Sequence, residues 1–433
     1  MKETLSVCPV CLKRINASIT RHGDDYFMEK RCDEHGDFSV IIWRGTSIGL
    51  ETWGGFAENG QEGAQVHNCP DGCGQGGAYA LCSGHLQKTC CALVEITHRC
   101  NLNCPVCFAG SGNGQEPSLE ELYNVFKGLA ADGNTFVQLS GGEPAEREDL
   151  PYIIAAAKAA GCENIQLNSN GIRLGADPEF TKKLKDAGLS FVFMQFDGTN
   201  DDIYMKLRGE ALFEAKCAAI RVCGENMLGV TLVPTVVPGI NDGNIGDIIK
   251  FGLKNSPEVR GVHFQPVSYF GRYPHVPSNQ DRITLPEILC AIEAQTNREF
   301  TVSDFAPSSC DHPRCGFHGD FVVLPKMNIM KLTRASAGAC CDDTDAHIKN
   351  RNFVARRWKR TADCCDGASQ DADYEDMDTF LSRVKTHGFT ITAMAFQDAY
   401  NLDIQRLRRC SLHVVQGGRL MPFCAKYLTG VKL

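Results

Sequence analysis

Between residues 92 and about 290, short runs of strand-forming residues alternate with segments of helical periodicity. "CALVEIT" (91–97) is followed by "SLEELYNVFKGLAADG" (118–133). There Ser118, Glu121 and a glycine stop frame a helix with Leu119, Leu122, Phe126 and Leu129 in helical spacing. The pattern recurs through "TFVQLSGGEP", "NIQLNSNG", "SFVFMQFDG", "GVTLVPTVVPG" and "VRGVHFQPVSYF", each reached through a helical stretch. Six strands with helices between them predict parallel βα units. The expected fold class is α/β, a partial (β/α)6 TIM-like barrel over 92–290. Two flanking regions, 1–91 and 291–433, are cysteine-bearing and predict metal or iron–sulfur sites. The second contains a charged stretch around 342–378 that reads as an insert, or as a helix with exposed loops.

The chain has 433 residues and 23 cysteines. No run of 18 apolar residues occurs and the first residues lack the apolar core of a signal peptide, so no membrane span is expected and the expected location is cytoplasmic. Thiols stay reduced there, so thiolate-bound metal centres are expected rather than disulfides. A net charge of −8 argues against a nucleic-acid partner.

Cys100, Cys104 and Cys107 form a C-x3-C-x2-C run directly after the first barrel strand. Parallel barrels carry their chemistry at that end of their strands. Three thiolates leave one iron of a [4Fe–4S] cubane without a protein ligand, and an open position suits chemistry rather than structure. A zinc site with a distant fourth ligand is the alternative on spacing alone. After the second strand comes Gly141-Gly142-Glu143-Pro144. There a double glycine permits close backbone approach and a carboxylate can accept from an ammonium.

Together the cysteine loop and "GGEP" resemble the radical S-adenosylmethionine (SAM) superfamily over 92–290. The resemblance implies that Cys100, Cys104 and Cys107 hold the radical cluster and that SAM chelates its open iron. It implies that Gly141, Gly142 and Glu143 meet the SAM amine, and that Ser169 and Asn170 of "NSNG" touch its carboxylate or ribose. Gln195 and Asp197 of "QFDG" fall at the ribose position, Arg208 pairs with the carboxylate, and Val237 to Ile240 pack on adenine. Val106 departs from the family pattern, which often has an aromatic there. The implied chemistry is one-electron cleavage of SAM to a 5′-deoxyadenosyl radical that attacks an sp3 carbon, with no acid–base pair needed to start it.

Cys8 and Cys11, then Cys32 and His35, make a C-x2-C and C-x2-H pair expected to close one tetrahedral site for mononuclear iron or zinc. Cys69, Cys73 and Cys82 are expected to bind an auxiliary cluster, with Cys90, Cys91 or His85 as fourth ligand. Cys310, Cys315, Cys410 and Cys424 are expected to close another, a zinc staple being the alternative. Cys340, Cys341, Cys364 and Cys365 read as surface or redox thiols, while Cys162, Cys217, Cys223 and Cys290 read as buried inert thiols on helix faces or ends.

With these accessories, nearly the whole chain resembles the branch holding archaeal tetraether lipid synthase and hydroxymethyl-dihydropterin methyltransferases, and possible kin in the bacterial TrsS group. That resemblance implies auxiliary [4Fe–4S] clusters and a rubredoxin-like iron. It also implies a small-molecule, lipid or pterin-like substrate and C–C bond formation or methylation. The partners it implies are a single-electron donor such as ferredoxin or flavodoxin, and a methyltransferase. Rival readings are an iron–sulfur redox or scaffold protein that binds SAM without cleaving it, and a peptide-modifying radical enzyme.

Overall fold

The computed structural model describes residues 2–45, 48–53, 79, 81, 84–110, 112, 114, 116–308, 310–333, 346–360 and 377–430. Cys69, Cys73, Cys82, Cys340, Cys341, Cys364 and Cys365 lie outside the described residues.

The N-terminal residues form a four-stranded antiparallel sheet: β1 (Lys2–Val7), β2 (Arg14–His22), β3 (Asp25–Cys32) and β4 (Gly36–Trp43), paired in that order. Little sustained periodicity is legible here. The inward set Ala17, Ile19, Tyr26, Met28 and Val40 is nonetheless buried, because alternate side chains of each strand face one side. Strand β1 also leans on the far end of the chain, where Thr4 Oγ1 donates to Asp403 at 2.8 Å.

The six expected barrel strands are present: β5 (Cys91–Thr97), β6 (Phe136–Gly141), β7 (Asn164–Ser169), β8 (Phe191–Gln195), β9 (Gly229–Val233) and β10 (Val259–Pro266). They pair parallel in sequence order. The first helix, Leu119–Ala131, starts in the expected capping box and buries Leu122, Phe126 and Leu129. At roughly 1.5–3 kcal/mol for each large apolar side chain, that face contributes more than the cap. Leu119, expected on the same face, is 40 % exposed.

The C-terminal residues supply strands to the same sheet. β11 (Gly316–Val323) runs antiparallel to β12 (Gly388–Met394), which pairs parallel with β10. At the other edge β13 (Leu412–Gln416) pairs parallel with β5 and turns back into β14 (Arg419–Pro422). Eight parallel strands therefore stand side by side, two of them drawn from beyond residue 291. Both additions pair the edges that a six-stranded sheet would leave open.

Helix Ala346–Trp358, in the stretch read as a charged insert, crosses the amino-terminal ends of the strands. Arg351 donates to the carbonyls of Gly133 and Thr89 at 2.7 and 3.1 Å, and Arg260 Nε donates to the Arg357 carbonyl at 2.9 Å. A Cβ on Gly229 would lie 2.1 Å from the Trp358 carbonyl, so a side chain there would lift the helix off the sheet. The helix is a floor. Above it lies a cavity of about 1050 Å³ that extends to the carboxyl ends of the strands. No helix among the described residues is long and apolar enough to cross a membrane.

Candidate active site

The cysteine loop follows β5 and is pinned from outside. The backbones of Cys107 and Arg272 exchange two hydrogen bonds of 2.9 Å, and Arg272 Nε donates to the Cys104 carbonyl at 2.9 Å. Gly271 has φ +68°, and a Cβ there would lie 2.4 Å from the Cys107 carbonyl. Cys100, Cys104 and Cys107 all face the cavity, and so do Val106, Gly141, Gly142, Glu143, Ser169, Asn170, Gln195 and Arg208.

The two glycines serve the chain itself before any ligand. Gly141 has φ +127°; a Cβ on it would lie 2.1 Å from the Thr97 carbonyl, and one on Gly142 would lie 2.0 Å from that of Arg99. Gly142 N and Glu143 N donate to those same carbonyls at 2.9 and 2.7 Å. The end of β6 thus slides against the root of the cysteine loop, which only glycine permits.

Glu143 is 2 % exposed, and burial pushes its carboxyl up against the pull of its donors. One oxygen accepts from Ser169 Oγ at 2.7 Å and Ala145 N at 3.0 Å; the other accepts from Asn170 N at 2.6 Å. A carboxylate offers about four acceptor positions, so one stays open for an ammonium. Ser169 and Asn170, expected at the SAM carboxylate or ribose, spend these donors on Glu143. The Asn170 amide donates to Asn101 Oδ1 at 2.7 Å, tying the end of β7 to the cysteine loop. Pro144 begins a short 3-10 turn, Pro144–Glu146, and does not face the cavity.

Three expected ligand contacts find other partners or places in the structure. Asp197, expected at the ribose, is fully buried and away from the cavity. Its oxygens accept from Arg208 Nε and Nη2, both at 2.7 Å, from Thr235 N at 3.1 Å and from Gln195 Nε2. No acceptor position remains for a ligand. Arg208, expected to pair with the SAM carboxylate, spends its fork on Asp197. Burial opposes its charge, yet Asp197 and the neighbouring Cys104 thiol hold its pKa above the ordinary value. Val237–Ile240 likewise do not line the cavity; Val233 and Thr235 do.

Lys216 escaped the sequence reading. It is fully buried in helix Phe213–Glu225, donates to the Asn170 carbonyl and, at 3.0 Å, to Gln195 Oε1. Burial pulls its pKa down to about 8, although Asp197 and Glu143 favour its charge. The ends of β6, β7 and β8 are therefore joined by one buried polar network. A lysine on a mostly apolar helix face was the available signal.

Cys8, Cys11, Cys32 and His35 converge as their spacing predicts, their ligating atoms all within 4.8 Å of one another. The pairs β1–β2 and β3–β4 each turn over one half of the site. Cys11 Sγ to Cys32 Sγ is 4.0 Å, and His35 Nδ1 lies 3.7 Å from Cys8 Sγ and 3.5 Å from Cys32 Sγ. A tetrahedral ion with metal–sulfur and metal–nitrogen bonds of about 2.3 and 2.05 Å spaces its ligands roughly 3.8 and 3.6 Å apart, so the set fits one.

The C-terminal cysteines divide. Cys315, Cys410 and Cys424 surround a small recess that Asp311 and Arg406 also line. Arg406 donates to Cys315 Sγ from Nε and Nη2, both at 3.4 Å, and Gln397 N donates to Cys424 Sγ at 3.2 Å. Cys310, expected as their fourth member, does not line the recess and instead partners Cys90. The turn Pro313–Cys315 sends the two ends of the "CDHPRC" motif to different places. Of the thiols expected on helix faces or ends, Cys162 and Cys223 are buried as expected, while Cys217 and Cys290 are half-buried.

The Radical SAM superfamily model matches residues 94–252, and a model described as the HMPTM N-terminal zinc ribbon domain matches residues 1–44. The latter names zinc where the resemblance implies iron. The chain is 32 % identical, over an alignment 476 positions long, to 7,8-dihydro-6-hydroxymethylpterin dimethyltransferase of Methanocaldococcus jannaschii, covering 98 % of this chain and 92 % of that protein. It is 35 % identical over 186 residues to Fe-coproporphyrin III synthase of Methanosarcina barkeri, covering 41 % and 44 % of the two chains. Among solved structures, Streptococcus suis SuiB bound to S-adenosylmethionine aligns with a TM-score of 0.40 at 12 % identity, over 49 % of this chain and 48 % of that one. Three thiols, a carboxylate with one open acceptor position and a roomy cavity suit a [4Fe–4S] cluster carrying SAM. The chain belongs to the radical SAM superfamily, in the family of 7,8-dihydro-6-hydroxymethylpterin dimethyltransferase, and is a radical SAM enzyme of the methyltransferase-like kind that uses a [4Fe–4S] cluster, SAM and a further metal at its N-terminal ribbon.

Proposed function

We propose that this enzyme modifies a carbon of a reduced, hydroxymethyl-bearing pterin, by methylation or C–C bond formation. One observation carries the reading: likeness to the pterin dimethyltransferase runs through both flanking regions as well as the barrel. The cavity agrees with it. It is lined by both polar side chains and aromatic rings, and its volume of about 1050 Å³ exceeds what one small heterocycle beside SAM requires.

Cys100, Cys104 and Cys107 would hold the cluster, which with SAM supplies a 5′-deoxyadenosyl radical able to take hydrogen from an unactivated carbon. Glu143 offers its open acceptor position to the SAM ammonium. Gln195, held by Lys216 and Asp197, presents the end of β8 to the ribose side. Arg208, neutralised by Asp197, adds donors beside Cys104 without leaving a bare buried charge. The floor helix excludes water from below, so that the radical meets substrate rather than solvent.

Cys315, Cys410 and Cys424 are proposed to hold an auxiliary cluster, with the Asp311 carboxylate positioned as a non-thiolate donor. Arg406 supports the thiolate form of Cys315. A single-electron donor such as ferredoxin or flavodoxin supplies the reducing equivalent, in a cytoplasmic setting.

The test is direct. Anaerobically prepared, reduced protein is incubated with SAM and 6-hydroxymethyl-7,8-dihydropterin. Release of 5′-deoxyadenosine together with a heavier pteridine by mass spectrometry is the expected result. Deoxyadenosine without any change in the pteridine would reject the substrate class, and no deoxyadenosine at all would reject the radical assignment.

A further inference from the structure

The deep half of the cavity is used by none of the groups placed so far. Register sets Asp320 opposite Thr390 and His318 opposite Thr392, and all four face the cavity. Thr390 sits four residues below Met394, the last residue of β12, roughly 13 Å down at about 3.3 Å per residue. Asp320 is 8 % exposed, and among the described residues its Oδ1 has no hydrogen-bond partner. Arg357 Nε stands 3.7 Å from that oxygen, which is an ion contact but too long for a hydrogen bond, and Nε too has no hydrogen-bond partner among the described residues. Burial pushes the Asp320 carboxyl up, against the pull of Arg357 and His318. Oδ1 itself is sealed, so the side chain meets the chamber through its remaining surface, and a carboxylate this deeply buried with so few donors of its own is what remains when a donor belongs to a ligand.

Next to it stands an aromatic wall. Trp358 donates its indole N–H to Thr390 Oγ1 at 3.0 Å, and its ring lies 5.0 Å from that of Phe193. Both rings face the cavity. A carboxylate beside flat apolar rings selects a planar heterocycle with two adjacent N–H donors on one edge. A lipid chain has no such edge. A pterin has one, formed by its 2-amino group and ring N3–H.

We propose that Asp320 anchors the 2-amino-4-oxopyrimidine edge of the substrate, its ring lying against Trp358 and Phe193. The inference rests on the pterin reading and adds an orientation to it. With that edge on the floor, the 6-substituent at the opposite end of the bicycle points up toward Cys100, Cys104 and Cys107.

Calorimetric titration of the full-length, metal-loaded protein under anaerobic conditions tests this. The probes are 6-hydroxymethylpterin, its 2-oxo counterpart 6-hydroxymethyllumazine, and guanosine, which carries the same aminopyrimidinone edge. The unsubstituted protein is expected to prefer the pterin over the lumazine by roughly 10- to 100-fold. Asp320→Asn, which replaces one acceptor by a donor, is expected to abolish that preference. Equal affinity for the two pteridines in the unsubstituted protein overturns the anchor and needs no variant. Selectivity unchanged in Asp320→Asn overturns the anchor and spares the pterin reading. Asp320-dependent binding of guanosine with no pteridine bound overturns the pterin reading and spares the anchor. Binding of none of the three overturns both.

Discussion

Arg208 meets Asp197 in a bidentate ion pair, with Nε and Nη2 each 2.7 Å from a carboxylate oxygen and both side chains almost wholly buried. The pair explains how a guanidinium can stand beside the Cys104 thiol at the mouth of a radical chamber. Its charge is neutralised on one side and available on the other. Asp197→Ala leaves that cation uncompensated, so a loss of about 3–5 kcal/mol in unfolding free energy is expected. Denaturant titration of apo protein measures it. A loss below about 1 kcal/mol would show that water reaches Arg208 freely.

Replacing Cys100, Cys104 and Cys107 together by alanine is expected to remove about four irons per chain and abolish deoxyadenosine release. The metal of the N-terminal ribbon should stay. Iron analysis with electron paramagnetic resonance of the reduced protein checks both halves; retention of a SAM-responsive signal would refute the assignment.

The ribbon site should behave as a closed structural centre. Cys32→Ala is expected to release one metal ion and lower the melting temperature, while the radical cluster keeps its spectrum. His35→Cys is expected to retain the ion, because a thiolate can take the imidazole's corner of the tetrahedron. Elemental analysis of each variant decides the matter, and of the native protein decides between zinc and iron.

In the C-terminal recess the two halves of "CDHPRC" should respond differently. Cys410→Ala or Cys315→Ala is expected to lower iron content by a cluster's worth. Cys310→Ala, which touches Cys90 instead, is expected to leave that centre's signal in place. Equal loss from Cys310→Ala and Cys315→Ala would return Cys310 to the recess.

Lys216 gives a pH signature. Its pKa is about 8 when folded, against an ordinary value of 10.5. Below about pH 8 it carries its proton in both states, and the cost of burying the charge is felt in full. Between about 8 and 10.5 the unfolded chain still holds a proton that the folded protein has released, so this residue's contribution to stability rises with pH. Unfolding free energy of the native protein minus that of Lys216→Met should therefore climb across this window, by at most roughly 3 kcal/mol. A flat difference would mean that Lys216 is not desolvated.

Local pattern made the barrel legible. Leu122, Phe126 and Leu129 recur at helical spacing behind Ser118, and each strand is a short apolar run, so the βα order can be read residue by residue. Short spacing made the ribbon legible for the same reason, since Cys8, Cys11, Cys32 and His35 close over two tight turns. The glycines of "GGEP" were legible as a close approach but not as an approach to Thr97 and Arg99, because that neighbour comes from another strand end.

The sequence by itself determined the order of the six barrel strands and the two metal-binding motifs, because these depend on residues within a turn or two of one another. Only the tertiary structure decided that Asp197 serves Arg208, that Cys310 parts from Cys315, and that Asp320 faces the chamber. The last two depend on pairing across long stretches of chain, Cys310 with Cys90 and β11 with β12, while Asp197 and Arg208, 11 residues apart, are brought together by the turn from β8 into the next helix. β12 and β13 join the sheet from residue 388 onward, and a register shift of one residue would turn their side chains to the opposite face.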